Sequence, residues 1–262
     1  MKKKGNIMNG KAIYMPKGAA GEYSKYACNF YRGCSNGCSY CYLKRGVLKH
    51  ACSGDKPVLK SCFKSEEDAI RTYHNELLSM LAGKNGEDIK KHGIFFSFTS
   101  DPCLPETIAL NFGAISRAMK YGVPVQILTK CTEWVYTDFG AGLQYDLNAR
   151  KYLSVGFTLT GRDDLEPNAA PNMERIKAMR LIHGMGIRTW ASVEPVIEIA
   201  SSKRCIADTL GYCDEYKIGL LSGRKPDYSK EDVREFVEWG EKVLHGVVKI
   251  YWKESVQKFV ND

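Results

Sequence analysis

The 262-residue chain has no apolar run approaching the roughly 18 residues that a membrane span needs, so no spanning helix is expected. Its first residues, Met1 to Asn6, are basic but have no apolar stretch behind them, so no secretory signal is expected either. There is no internal repeat and no low-complexity segment, which sets repeat architectures aside. Acidic residues are scarce at the front. Residues 1–64 hold only Glu22 and Asp55 against 13 Lys and Arg, whereas residues 65–262 hold 25 basic and 28 acidic residues. The formal net charge of +8 is thus the average of a basic front and a mildly acidic body. One implication is a polyanionic partner near the front; the other is a solvated surface with surplus lysines.

What is present argues for a packed enzyme-sized chain. A hydrophobic fraction of 44% with 11% aromatics suits a globular core rather than a disordered chain. Ten cysteines without an export signal point to a reducing, cytoplasmic setting rather than a disulfide framework. In that setting clustered cysteines suggest metal or catalysis, and scattered ones behave as small buried hydrophobes.

Strand and helix patterns alternate along the chain. Strands are expected at 26–31, 94–99, 123–129, 152–159, 189–193, 216–221 and 247–252. Helices are expected from Ser65 to about Leu81, at 107–121, near 133–145, at 172–184 with Asn172 as N-cap, at 201–210, and from Ser229 to about Leu244, with a short one at the end. Strands 94–99 and 216–221 are continuous apolar runs, as in parallel sheets covered by helices. Right-handed crossovers then favour a doubly wound α/β sheet or a barrel, which periodicity does not separate. Either way the working groups belong in loops after the C-terminal strand ends.

The strongest local signal is Cys34-Ser35-Asn36-Gly37-Cys38-Ser39-Tyr40-Cys41, a Cys-x3-Cys-x2-Cys spacing. Three thiolates on one tight loop can hold three corners of a 4Fe-4S cluster. Since such a cluster takes one thiolate per iron, one iron stays open for a small-molecule ligand. Gly33 and Gly37 free the backbone to wrap the inorganic core. The competing reading is a structural zinc site in a nucleic-acid-binding protein without catalysis, with His50, Cys52 or Cys62 as fourth ligand.

With Tyr40 in the aromatic position, this loop resembles that of the radical S-adenosylmethionine (radical SAM) enzymes. The resemblance implies that Cys34, Cys38 and Cys41 ligate a 4Fe-4S cluster whose open iron chelates S-adenosylmethionine. It implies reductive cleavage of that cofactor to a 5′-deoxyadenosyl radical that abstracts hydrogen from a substrate. It also implies a full or partial (β/α) TIM-type barrel with the cluster loop after the first strand, and a flavodoxin- or ferredoxin-type electron donor.

Over about residues 28–200 the chain is similar to the spore photoproduct lyase branch, which repairs a thymine dimer in DNA. The matching segments are Cys38 to Leu43, Thr99-Ser100-Asp101, Leu128-Thr129-Lys130, Phe157-Thr158, Glu166-Pro167 with Arg175, and Val193 to Val196. On this resemblance Tyr40, Tyr42, Ser100, Lys130, Thr158 and Glu194 are expected to contact the cofactor. Tyr40 and Tyr42 would pack the adenine, and Lys130 would meet the methionyl carboxylate. Two positions depart from that branch. Phe98 replaces its hydrogen-donating cysteine, which leaves nearby Cys103 as the candidate donor, and Glu194 replaces an alanine. Both departures weigh against dimer repair while leaving radical generation intact. The segment Lys249 to Ser255 is also similar to phage-associated radical SAM-like proteins.

The substrate expectation is a nucleic-acid base, from the Lys and Arg interleaved with Tyr around the cysteine loop. The same charges suit an acidic electron donor. One domain is expected over 1–262: an irregular basic segment to residue 25, a barrel core over 26–221 and a helix–strand–helix extension over 222–262.

Overall fold

The computed structural model describes residues 11–46, 48–221 and 227–261. Of the irregular segment expected to residue 25, residues 1–10 lie outside the described residues, as does the junction at 222–226; residues 11–25 hold a strand at Ile13–Tyr14 and a 3-10 turn at Gly18–Glu22.

In chain order the elements begin with β1 (Ile13–Tyr14), β2 (Ala27–Cys28), β3 (Tyr31–Arg32), α1 (Leu48–Cys52) and β4 (Val58–Leu59). Next come α2 (Glu66–Ala82), α3 (Gly86–His92), β5 (Ile94–Phe96), α4 (Ile108–Lys120) and β6 (Val125–Thr129). The middle holds α5 (Asp138–Gly142), α6 (Leu147–Tyr152), β7 (Leu153–Thr158), α7 (Asn172–Gly184) and β8 (Arg188–Val196). The chain closes with α8 (Ile199–Ala207), β9 (Glu215–Leu220), α9 (Lys230–Leu244), β10 (Lys249–Trp252) and α10 (Glu254–Asn261).

Eight strands form one sheet in the order β1-β2-β5-β6-β7-β8-β9-β10. From β2 onward every pair is parallel, and only β1 is antiparallel to its neighbour. The order never reverses. A doubly wound sheet needs a switch point where it does, so the sheet is of the barrel kind. Helices α2, α4, α7, α8 and α9 cover its outer face over the main apolar core. A smaller cluster of Ala27, Phe95 and Trp190, with Tyr23 and Phe98 against it, fills the inner face. Gly156 is needed there, because a Cβ would lie 2.1 Å from the Trp190 ring.

Local signals account for several boundaries. Ser65 caps α2 by accepting from the Asp68 amide, and Ser229 with Asp232 forms a capping box at α9. Three expectations are corrected. The strand at 26–31 is two short strands in different sheets, because β3 leaves the barrel to pair with β4. The helix near 133–145 is broken into a 3-10 turn (Glu133–Tyr136), α5 and a second 3-10 turn (Leu143–Tyr145). Thr137 caps α5 there, and Gly140 lies so close to the preceding turn that a Cβ would be 2.4 Å from the Val135 carbonyl oxygen. The N-cap of α7 is Pro171 rather than Asn172. The Asn172 side chain instead accepts from the Thr160 and Gly161 amides, tying the helix to the end of β7.

Residues 18–23 cross from one edge of the sheet to the other. Segment 11–13 is tied to α2 through three amides on the Glu76 carboxylate. At the far end Glu22 accepts from the Glu254 amide at 2.7 Å, at the start of α10. The segment thus bridges the β1–β2 edge and the β10 edge.

Candidate functional site

The cysteine loop follows β3 and is held by backbone contacts. Gly33 sits at φ +84°, where a Cβ would lie 2.4 Å from the Lys56 carbonyl oxygen, and Gly37 at φ +71° backs onto Asn168. The Cys34 amide donates to Gly54 O at 2.9 Å, and the Ser39 amide donates to Leu165 O at 2.9 Å. Asn168 donates through its amide to Asn36 O at 3.3 Å and through its side chain to Ser35 O at 3.0 Å.

This places Cys34, Cys38 and Cys41 around one small cavity, which Cys52 also lines. His50 and Cys62 do not line it. Among the described residues no group of three or more His, Cys, Asp or Glu side chains could hold a metal ion as they stand. The cavity's titratable lining consists of thiols and Lys44, without carboxylate or imidazole. Such a donor set fits a cluster that takes one thiolate per iron. Burial pushes the Cys34 thiol up to about 12, with Asp101 adding to the rise. Burial also raises Cys38, and Lys130 opposes it.

Asp101, just past β5, is the keystone beside the loop. Its buried carboxylate accepts from Thr129 Oγ1 at 2.6 Å and the Cys103 amide at 3.0 Å on one oxygen. The other oxygen accepts from the Lys130 amide at 2.8 Å and Asn36 Nδ2 at 2.9 Å. Four hydrogen bonds thus join the cysteine loop to the ends of β5 and β6. Ser100 precedes it with a buried hydroxyl that has no hydrogen-bond partner within the protein. An orphaned buried hydroxyl normally finds a partner, and a ligand at the strand ends would supply one.

A second line of contacts starts at Tyr40. Lys130 Nζ stands 5.6 Å from its ring centroid, and its hydroxyl donates to Glu166 Oε1. Burial works against the Lys130 charge, yet Cys38 and Glu166 carry its pKa above the ordinary value, so it is cationic. Glu166 Oε2 is 2.6 Å from Arg175, and both side chains are 0% exposed. Those two atoms make no aligned hydrogen bond, so the contact is ionic. Arg175 also donates to Thr158 O at 2.9 Å and Ala170 O at 2.7 Å. The structure therefore links Tyr40, Lys130 and Thr158 through a buried ion pair.

Tyr42 is 48% exposed and donates to Phe98 O at the β5 end. Glu194, on β8, faces the basic Lys253. Lys253 Nζ lies 2.9 and 2.7 Å from its two oxygens and 3.5 Å from Glu22. Tyr23 also donates to Glu194, and its hydroxyl is 2.9 Å from Ser192 Oγ. The Tyr23 ring leans on Phe95, Phe98 and Trp190, so Glu194 joins the other residues through Tyr23 and Phe98. Beneath it Lys217 lies 4.9 Å from the Trp190 ring and 5.1 Å from the Tyr23 ring, and burial lowers its pKa to about 8.

Cys103 is buried beside Asp101, where burial raises its thiol well above the ordinary range. Together with Cys131 it lines a larger groove on the α4 side of the cysteine loop. Sequence reasoning passed over Asp101, Asn36, Tyr23, Lys217 and Lys253 as site residues. Only the place of Asp101 in the Thr-Ser-Asp match, and of Lys253 in the segment 249–255, marked either of them.

No protein-family model matches the chain, and no curated protein matches it. Among solved structures, Streptococcus suis SuiB bound to S-adenosylmethionine is similar at a TM-score of 0.59 and 12% identity. The match covers 87% of this chain and 49% of that one. SuiB bound to the precursor peptide SuiA is similar at a TM-score of 0.54 and 12% identity, over 82% of this chain and 45% of that one. The chain spans about half the length of the SuiB chains it matches. The likeness is one of fold, a partial (β/α) TIM-type barrel.

Proposed function

We propose that the protein is a radical SAM enzyme in which Cys34, Cys38 and Cys41 hold a 4Fe-4S cluster. The observation that carries this is the convergence of the three cysteines on one cavity at the strand ends of such a barrel. A fold neighbour, SuiB, that binds S-adenosylmethionine supports it. When bound, the cluster supplies one electron to cleave S-adenosylmethionine.

The protein's own residues prepare the site. Lys130 offers a cation to the methionyl carboxylate, and the unpartnered Ser100 hydroxyl offers a hydrogen bond to the same cofactor. Tyr40, held by Glu166, and Tyr42, held by Phe98, supply rings for the adenine. Thr158 and Glu194 complete the contacts on β7 and β8. The Lys253 ion pair and the Tyr23 hydroxyl hold the Glu194 carboxylate in place at the end of β8. Cys103 is the candidate hydrogen donor, since burial keeps its thiol in the protonated form that donation needs.

The substrate reading is a nucleic-acid base or nucleotide in a cytoplasmic setting, and it rests on the exposed basic face around the cysteine loop. Kinship to spore photoproduct lyases rests on the residue matches alone. Phe98 stacks on Phe95 at 4.3 Å where that branch has its donor cysteine, so dimer repair is not proposed.

Anaerobic reconstitution tests the reading. Brown protein with about four irons per chain is expected. It should cleave S-adenosylmethionine reductively, and Cys38→Ala should abolish both properties. One colourless zinc per chain would instead support the zinc-stabilised nucleic-acid-binding alternative, for which Cys52 would be the fourth thiol.

A further inference from the structure

The groove on the α4 side of the cysteine loop has a character opposite to the basic front. Its volume is about 1120 Å³, above the roughly 300–1,000 Å³ that holds a drug-sized ligand. Leu104, Ile108, Phe112, Trp134 and Phe139 form its apolar bed. One aromatic ring of this bed remains uncovered, that of Phe139 at 42% exposed. Bulky rings left in water beside a groove mark a contact surface rather than a scattered exception.

The charges lining the groove are of one sign. Glu106, Glu133 and Glu174 line it, and among the described residues no Lys or Arg does. Glu174 is paired to Lys177 at 2.7 Å, whereas among the described residues Glu106 and Glu133 make no ion pair. Two free carboxylates at an apolar groove attract a cation-bearing apolar partner and repel an acidic protein. The basic face around Arg32, Lys49 and Lys56 therefore suits an acidic electron donor, and this groove does not. Its floor includes Ser35 and Asn36 of the cysteine loop, so an occupant would sit directly behind that loop.

From this charge pattern and size we infer that the groove is a docking site for a peptide segment of another protein, with bulky apolar anchors and flanking Lys or Arg. The anchors would lie against Phe112, Trp134 and Phe139, and the basic flanks would meet Glu106 and Glu133. The inference is independent of the radical reading, since it needs neither cluster nor cofactor.

The test is fluorescence anisotropy of iron-loaded protein with a labelled peptide of alternating Lys, Leu and Phe. Its counterpart with Glu in place of Lys serves as the control. The Lys peptide is expected to bind and to change Trp134 emission, while the Glu peptide binds at least about tenfold more weakly. Glu106→Lys with Glu133→Lys should weaken the Lys peptide by about tenfold or more, and Phe139→Ser should weaken both peptides. Circular dichroism confirms that the variants fold. Equal binding of the two peptides, or affinity unmoved by the charge reversals, would overturn the inference. So would light scattering showing that Phe139→Ser dissolves a dimer, because the occupant would then be a second copy of the chain. Iron content measured on the same samples reports separately on the cluster.

Discussion

At the scale of single residues, the site divides into groups readable from local spacing and groups assembled by the fold. Cys34, Cys38 and Cys41 are of the first kind, because eight consecutive residues on one loop carry the whole pattern. Asp101 is of the second kind. Its four hydrogen-bond donors come from positions 36, 103, 129 and 130, which no sequence window joins. Lys217 is the sharpest case, since nothing in its strand pattern over 216–221 marks it as a site residue. The barrel instead seats it against Trp190 and Tyr23 with its pKa lowered to about 8. A lysine whose folded pKa lies below its unfolded value costs stability in full below the folded pKa. That cost fades as pH rises from about 8 toward the ordinary value. The shift corresponds to about 3 kcal/mol, and the two ring contacts return part of it. Lys217→Met is therefore expected to be more stable than the native chain by roughly 1–3 kcal/mol at pH 7. The difference should shrink by pH 9.5, as read from urea unfolding at both pH values. A destabilised variant at pH 7 would show that the ring contacts outweigh desolvation.

At the scale of elements, strong apolar runs and capping residues placed the central strands and α2, α4, α7 and α9 close to where they stand. Short pieces escaped. The strands β1, β3 and β4 have two residues each and no periodicity to read. The 3-10 turn Gly18–Glu22 falls within the segment expected to be irregular, yet Glu22 spans to α10 and Lys253. A hydrogen bond from a backbone amide to a charged group contributes about 1.5–3 kcal/mol. Glu22→Ala should therefore speed amide exchange across residues 18–26 by about tenfold or more, with little effect in the distant β6. Unchanged exchange in the segment would mean that Tyr23 packing alone holds it across the sheet edges.

At the scale of the whole molecule, charge is distributed in two opposed regions beside the cysteine loop. Arg32, Lys49 and Lys56 are exposed on β3, α1 and the approach to β4, and the acidic groove lies on the α4 side. If the basic face meets single-stranded nucleic acid through about three phosphates, log affinity should fall with log salt at a slope near −2. Lys49→Glu with Lys56→Glu should flatten that slope and weaken binding. Salt-insensitive binding of an oligonucleotide would remove the nucleic-acid reading and leave the basic face to an electron donor.

The sequence by itself determined the three-cysteine loop, the α/β alternation and the imbalance of charge, because each is carried by neighbouring residues or by simple counts. Its periodicity left the choice between a doubly wound sheet and a barrel open, since both demand the same alternation of strand and helix, and only the resemblance of the cysteine loop pointed to the barrel. Only the tertiary structure decided it, through a strand order that never reverses. The same structure paired Glu166 with Arg175, set Lys253 on Glu194 and drew Tyr23 across the inner face of the sheet. Those contacts join residues far apart in the chain, and their strength depends on burial that only the assembled sheet and its covering helices provide.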